Sequence, residues 1–336
     1  MRSGATRRYF TLALVLAGLM IFAACGEERV VDVSDGTHEG ASDADNQGYV
    51  GVELTVEGGE ITEVEWTEFT GEGEAKGDDY PWDEWHEAQD ELPARVIEAQ
   101  SADIDVVAGA TSTSEKFIQA VQRALGEKED DVGPFADGEH IGVSDPTPRG
   151  YVQSEIVVQR GVITHADLRE FQADGSEKGE DYPWDEWHVA KEELPEQVVE
   201  EQTHDVDIIA GATGTAERFI QATARALGEE EPFEVGEFED GIYTAESDLS
   251  ERGGWVEVEV TVILGHIMDV EMTEYSEDET AKDPEEYDWE EFGIAVEELP
   301  ERAIDAQSAD IDIVAGATST SEMFIQALER ALQEAQ

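Results

Sequence analysis

Cysteine and basic residues are scarce in this chain. Its 336 residues include one cysteine, Cys25, and 20 Lys and Arg against 83 Asp and Glu, which gives a formal net charge of −63. A single cysteine excludes a disulfide framework, and the charge repels nucleic acid and anionic lipid surfaces. The sequence also lacks a serine–histidine–acid set, a phosphate-binding loop and a CxxC motif. We interpret the acidity as solvated surface suited to a saline or alkaline habitat, where salt screens the repulsion.

A short apolar run, Tyr9 to Ala24, follows three arginines at the start of the chain. It is shorter than a membrane-spanning helix and has the flanks of a secretory signal. It ends in Phe22-Ala-Ala-Cys25, which resembles a bacterial lipobox, where the cysteine thiol is lipidated. We therefore interpret residues 1–25 as a lipoprotein signal peptide. The expected location is the extracytoplasmic face of the cell membrane, with a lipid anchor on Cys25.

The rest of the chain repeats one phrase three times. Val107-Ala-Gly-Ala-Thr111 recurs as Ile209-Ala-Gly-Ala-Thr213 and Val314-Ala-Gly-Ala-Thr318, and each copy soon continues into Glu-x-Phe-Ile-Gln-Ala. The first two copies lie 102 residues apart and the last two 105. A repeated core alone requires only a repeated apolar pattern, so exact recurrence of a polar turn indicates chemistry at the turn. The threonine hydroxyls are the candidate reactive groups.

The spacing predicts three tandem domains of the α+β class behind a flexible tether. Each unit of about 100 residues is long enough to hold its own core. Acidic junctions containing glycine and proline mark the borders. The predicted segments are a tether over residues 26–46 and domains over residues 47–127, with an alternative start near residue 35, 137–228 and 239–336.

The elements of one unit follow from local patterns. In the first unit, alternating residues around Gly58-Gly59 predict a β-hairpin, and an acidic aromatic loop follows. A helix is expected after Leu92-Pro93, because proline suits a first turn. A strand over Ile104–Val107, the Gly-Ala-Thr turn and a closing helix with an apolar stripe complete the unit.

Helix capping is one interpretation of the repeated turn. Ser112-x-x-Glu115 and Ser319-x-x-Glu322 match the capping-box pattern. The second unit has Gly214 where the others have the capping serine, yet it keeps Thr213. Capping therefore does not account for the threonine.

The repeated phrase resembles the FMN-binding domain of extracytoplasmic flavoproteins, including subunits of the sodium-pumping NADH:quinone reductase and of Rnf-type complexes. Members carry an aspartate followed after a few residues by Ser/Thr-Gly-Ala-Thr. A flavin transferase that uses FAD joins the threonine oxygen to FMN through a phosphoester. This chain differs in having alanine before the glycine, at Ala108, Ala210 and Ala315. The resemblance implies up to three covalent FMN groups, and the modified residues would be Thr111, Thr213 and Thr318.

Further cofactor-binding candidates surround these threonines. The resemblance implies roles for the motif aspartates Asp105, Asp207 and Asp312. The small residues of the turn leave room for a transferase and a phosphate, and they are Gly109, Gly211, Gly316, Ala110, Ala212 and Ala317. Three recurring lysines fit either a flavin or phosphate contact or a surface role that offsets local acid: Lys76, Lys178 and Lys282.

Recurring aromatic residues of the acidic loop are also open to two interpretations. Tyr80 and Trp82, with their counterparts in the other units, could cover an isoalloxazine face or lie in the core. His86 and His188 have no counterpart in the third unit, where Gly293 stands, so a metal role is not expected.

These observations predict an electron carrier more than an enzyme with its own substrate. The expected partners are the flavin transferase that matures the protein and a membrane oxidoreductase or other redox protein as electron donor. The alternative is a non-redox acidic envelope lipoprotein whose repeats bind a partner or solute.

Overall fold

The computed structural model describes residues 31–284 and 286–336. The predicted signal peptide and Cys25 lie outside the described residues. Within them, one arrangement of three strands and two helices occurs three times along the chain. The predicted class, repeated small α+β domains, is confirmed.

Each unit contains a three-stranded antiparallel sheet with its strands in chain order. In the first unit, the hairpin strands meet at Gly58 and Gly59, whose φ angles are +65° and +82°. Two consecutive positive φ angles match the right-handed twist of a hairpin, which explains the glycine pair. The strands are β1 (Gly36–Ala41), β2 (Val50–Glu57), β3 (Glu60–Glu68), β4 (Gly138–Val143), β5 (Gly150–Gln159), β6 (Val162–Gln172), β7 (Gly241–Glu246), β8 (Trp255–Ile263) and β9 (His266–Tyr275).

Two helices pack against each sheet and bury its apolar face. In the first unit, Leu54 of the sheet, Leu92 of the first helix and Phe117 of the second are fully buried in one core. Alternate residues of the strand and every third or fourth residue of the helices point toward this core. The helices are α1 (Asp83–Ala99), α2 (Thr111–Ala124), α3 (Asp185–Glu201), α4 (Thr213–Ala226), α5 (Glu290–Ala306) and α6 (Thr318–Glu334).

Three predictions about local structure are wrong. The tether over residues 26–46 includes Gly36–Ala41, which form β1 and pair with β2, so of the two predicted starts of the first domain only the one near residue 35 includes β1. The helix expected after Leu92-Pro93 begins at Asp83, so Pro93 lies inside α1. Residues 104–107 form no strand and connect the two helices in irregular backbone. Pro93 costs the helix one backbone hydrogen bond, and burial of Trp85, Leu92 and Val96 on both sides of it compensates for that loss.

A glutamine ends the first helix of each unit and ties it to the sheet. Gln100 adopts a left-handed conformation with φ of +52°. Its side-chain amide accepts a hydrogen bond from the Ile61 backbone at 2.7 Å and donates one to the Ile61 carbonyl at 2.9 Å. Gln202 and Gln307 make the same pair of contacts in the other units. These bonds hold the helix across the hairpin and so orient the segment that leads to the Gly-Ala-Thr turn.

The first and second units touch through the β5–β6 hairpin. The Gln159 amide donates to the carbonyl oxygens of Thr70 at 2.8 Å and Gly71 at 2.9 Å. The Thr164 hydroxyl donates to the Gly71 carbonyl at 2.7 Å. These three bonds place the first two units in direct contact. Among the described helices, none is long and apolar enough to cross a membrane.

Candidate functional site

The three candidate threonines occupy the same place in each unit. Thr111, Thr213 and Thr318 are the first residues of α2, α4 and α6, and each is exposed. The glycine two residues earlier turns the chain with φ between +85° and +90° in all three units. The intervening alanine is fully buried. The turn thus presents a hydroxyl to solvent at a helix N-terminus while its alanine anchors it to the core.

The predicted capping boxes are wrong. Ala110 is the N-cap residue of α2, and no side chain caps this helix. The Ser112 hydroxyl donates to Gln47 at 3.3 Å instead. Ser114 supports the turn from below, since its hydroxyl donates to the Ala110 carbonyl at 2.7 Å and accepts from the Val107 N–H at 3.0 Å. The first backbone N–H groups of the helix therefore keep their capacity to bind an anion.

A buried carboxylate lies beneath the turn, and sequence reasoning missed it. Glu68, at the end of β3, is only 3% exposed. One carboxylate oxygen accepts from the Lys76 ammonium at 2.8 Å, and the other from the Trp85 indole N–H at 2.8 Å and the Thr113 hydroxyl at 3.0 Å. We call these four side chains the carboxylate cluster. It joins the sheet, the aromatic loop and both helices directly behind the exposed threonine.

The second unit repeats this cluster with one addition. Glu170 accepts from Lys178 at 2.8 Å, Trp187 at 2.7 Å and Thr215 at 2.9 Å, and Arg218 also donates to it at 2.6 Å. Burial works to raise the pKa of Glu170, but the hydrogen bond from Lys178 and the charge of Arg218 outweigh it. The pKa therefore lies below its ordinary value. Glu170 is held as an anion within two cationic contacts.

The third unit keeps the carboxylate, the lysine and the threonine but not the indole. Glu274 accepts from Lys282 and, at 2.7 Å, from the Thr320 hydroxyl. Phe292 stands where the other units have tryptophan, and it is fully buried. The cluster therefore does not depend on the indole.

The three lysines do offset local acid, because each pairs with a glutamate, but that glutamate is buried and the expected surface position is wrong. The Lys76 and Lys178 side chains are 7% and 8% exposed, and Lys282 is 15% exposed. Each ammonium also lies over an aromatic ring, as Lys76 does at 4.4 Å from the centre of Tyr80. A contact between these lysines and flavin or phosphate stays a prediction. An ammonium group that made this contact would also be paired with the buried glutamate.

The loop aromatics are only partly buried. The buried rings of this region are Trp85, Trp187 and Phe292, one helical turn further along the chain. Trp184 is 38% exposed and Tyr287 is 42% exposed. The core interpretation is therefore wrong for these two rings, although the Lys282 ammonium lies over the Tyr287 ring. Trp289 is partly buried and packs against the core of the third unit.

The motif aspartates are exposed on the segment between the helices. Asp105, Asp207 and Asp312 are held through their backbones. The Asp105 carbonyl, for example, accepts from the Arg95 guanidinium at 2.6 Å. Their carboxylates face solvent, and a role in flavin binding stays a prediction.

In the third unit, the threonine turn, the buried glutamate with its lysine and the loop aromatics surround a cleft of about 950 Å³. Its lining includes Thr318, Ser319, Glu274 and Lys282 together with the rings of Tyr287 and Trp289. The structure thus brings a candidate threonine, a candidate lysine and the loop aromatics into one cavity, whose size lies within the range of small-molecule sites. In the described part of the chain, no group of three or more metal-binding side chains is present.

Comparison with known proteins agrees with this geometry. Two segments, residues 46–126 and 252–333, match the family model of the FMN-binding domain. They correspond to the first and third units, and each ends within the helix that carries the candidate threonine or just after it. The match supports FMN as the cofactor. The middle unit lies outside both segments, although it has the same strands, helices and turn.

Individual proteins match shorter stretches. An uncharacterized protein of Treponema pallidum (strain Nichols) is 37% identical over 120 residues, a stretch that spans 36% of this chain and 28% of the relative. The crystal structure of the CPE2226 protein from Clostridium perfringens aligns at 27% identity over 30% of this chain and 89% of that chain, with a TM-score of 0.27.

Proposed function

We propose that this protein is an electron-transfer flavoprotein that carries FMN linked by phosphoester bonds to Thr111, Thr213 and Thr318. The observation that carries the proposal is the exposed threonine at an uncapped helix N-terminus within segments that match the FMN-binding domain. Such a terminus offers free N–H groups and the positive end of the helix dipole to a phosphodiester anion. On a chain with a net charge of −63, few other places favour an anion.

The residues that line the cleft of the third unit fit a covalently bound FMN. Thr318 supplies the oxygen for the bond, and the rings of Tyr287 and Trp289 line the cavity beside it. Lys282, whose ammonium lies over the Tyr287 ring, places a positive charge nearby. Glu274 holds that lysine and the first turn of α6 in position through Thr320. Bound FMN would supply one- and two-electron chemistry, and the chain's part is to hold and space it.

Attachment requires no change of redox state. The threonine oxygen forms a bond to the phosphorus on the FMN side of FAD, the pyrophosphate bond breaks, and AMP leaves with the bonding electron pair. The hydroxyl proton passes to solvent or to the leaving phosphate. A dedicated flavin transferase is the proposed catalyst, as the resemblance to flavinylated domains implies.

The proposed location is the outer face of the cell membrane, through a lipid on Cys25. Phe22-Ala-Ala-Cys25 and the preceding apolar run support this. Covalent attachment suits that compartment, because a bound flavin cannot be lost to the surroundings. We propose a membrane oxidoreductase or another redox protein as the electron donor.

Mass spectrometry after co-expression with a flavin transferase tests the linkage. We expect up to three FMN additions on the intact chain and the loss of one for each Thr→Ala substitution at residues 111, 213 and 318. Ser112→Ala is the matched control, because Ser112 is an exposed hydroxyl one residue further along the same helix. A chain of unmodified mass, isolated beside an active transferase, would leave the non-redox envelope lipoprotein as the better interpretation.

A further inference from the structure

One position that faces the candidate site carries a different residue in each of the three units. Five residues after each threonine, the helix carries Lys116 in the first unit, Arg218 in the second and Met323 in the third. A long cation and an apolar side chain have different reach, so this position changes what fills the space beside the threonine.

In the second unit, Arg218 crosses this space. Its guanidinium donates to the Glu170 carboxylate at 2.6 Å, to the Gly214 carbonyl at 2.9 Å and to the Gly150 carbonyl at 3.4 Å. These acceptors lie on β6, in the first turn of α4 and at the start of β5. Arg218 therefore bridges three walls of the site next to Thr213.

In the first unit, Lys116 makes a smaller bridge. Its ammonium donates to the Asp45 carboxylate at 2.6 Å and to the Gly48 carbonyl at 2.7 Å. Both partners lie on the loop before β2, and Glu68 is not among them. Lys116 thus joins the helix to the loop without reaching the buried carboxylate.

In the third unit, the corresponding walls line the open cleft. Gly254, Glu274 and Ser319 occupy the positions of Gly150, Glu170 and Gly214, and all three line the cavity of about 950 Å³. Met323 is 8% exposed and packs in the apolar core. It has no donor with which to bridge the walls.

We infer that this position determines how readily each threonine accepts and holds its flavin: Met323 leaves the site of Thr318 open, Arg218 closes that of Thr213, and Lys116 has an intermediate effect. The inference rests on the proposed function. Flavin can enter the second site only after Arg218 leaves its charge-assisted hydrogen bond to the buried Glu170 carboxylate. In the first site, Lys116 must leave the half-exposed Asp45 instead. In the third site, Met323 has no such bond to break.

Site-resolved kinetics test this inference. The full chain is incubated with purified flavin transferase and FAD, samples are digested over time, and the FMN-bearing fraction of each threonine peptide is measured by mass spectrometry. In the unaltered chain, we expect Thr318 to load roughly tenfold or more faster than Thr213, the factor that one charge-assisted hydrogen bond represents, with Thr111 between them. Each transfer forms one bond between the threonine oxygen and the FMN phosphorus and releases one AMP from FAD.

Reciprocal substitutions separate the effect of this side chain on the loading rate from the effects of other differences between the units. Arg218→Met should raise the rate at Thr213 toward that of Thr318, and Met323→Arg should lower the rate at Thr318 while Thr111 stays unchanged. Arg169→Met is the matched control, since it removes an arginine from the same unit at an exposed pair with Glu177, and it should leave all three rates unchanged.

The outcomes distinguish the two proposals. If no threonine gains FMN, both the proposed function and this inference fail. If all three threonines load at equal rates in the unaltered chain, the inference alone is overturned, and that comparison needs no variant to fold. Equal rates in Arg218→Met and the unaltered chain would overturn the assignment to this side chain.

Discussion

Replacement of Glu68 by glutamine should loosen the first unit more than any exposed charge change on the same strand. One oxygen of Glu68 faces the Lys76 ammonium, and the other faces the donors of Trp85 and Thr113. A glutamine amide has one acceptor oxygen and one NH₂ group, so the NH₂ must face a donor in either orientation. It also leaves the 7% exposed Lys76 side chain without its counter-charge.

We expect Glu68→Gln to lower the free energy of unfolding of the first unit by about 3–5 kcal/mol, the range for removing one partner of a buried ion pair. Because each 1.4 kcal/mol is a factor of about ten, amide protection in the first unit should fall by roughly a hundredfold or more. Hydrogen exchange of the full chain, followed by mass spectrometry of peptides from β3 and α2, measures this directly. Peptides of α6 in the same molecule report on a unit that the substitution does not touch.

Two further variants isolate the cause. Glu65→Gln removes the same charge from an exposed position on the same strand and should leave protection nearly unchanged. Adding Lys76→Met to Glu68→Gln removes the unpaired cation and should restore part of the loss. Protection of Glu68→Gln within about threefold of the unaltered chain, a difference of well under 1 kcal/mol, would refute a stabilising role for the carboxylate cluster.

Two other predictions concern pH and the turn. The pKa of Glu170 is lowered in the folded protein, so its contribution to stability is fully present above the unfolded-state pKa of about 4.3 and is lost as pH falls through the folded-state pKa. The difference in α4 amide protection between the unaltered chain and Glu170→Gln should therefore shrink below pH 4 in 1 M salt. A difference that stays constant with pH would contradict this. Gly109→Ala should destabilise the first turn of α2 by about 1–2 kcal/mol, since φ is +85° and a Cβ would lie 2.6 Å from Glu84 Cγ; Gly126→Ala, with φ of +71° and open space, should have a smaller effect in the same exchange measurement.

Patterns with a local cause were predicted well from the sequence. The hairpin follows from alternation around Gly58-Gly59, and the closing helix from the apolar stripe that includes the buried Phe117 and Val121. Exposure of the threonine turn is likewise a local consequence, because Gly109 bends the chain immediately before a helix. Each of these depends on residues within a few positions of one another.

Errors arose where distant contacts outweigh local signals. Pro93 suggests a helix start, but burial of Trp85 and Leu92 extends the helix on its N-terminal side. The serine of the apparent capping box bonds elsewhere, and Ser114 supports the turn through the Val107 backbone. Recurrence could have found the cluster, since glutamate recurs at the end of the last strand and threonine two positions after each candidate threonine.

By itself, the sequence determined that one α+β unit occurs three times and that each unit places a threonine behind a glycine turn, because periodicity and backbone conformation are local properties of the chain. Only the tertiary structure showed that the recurring glutamate, one of 83 acidic residues, is buried beneath that threonine, and what the lysine, arginine or methionine five residues further along contacts. Burial and ion pairing depend on which distant side chains meet in space, and no local pattern carries that information.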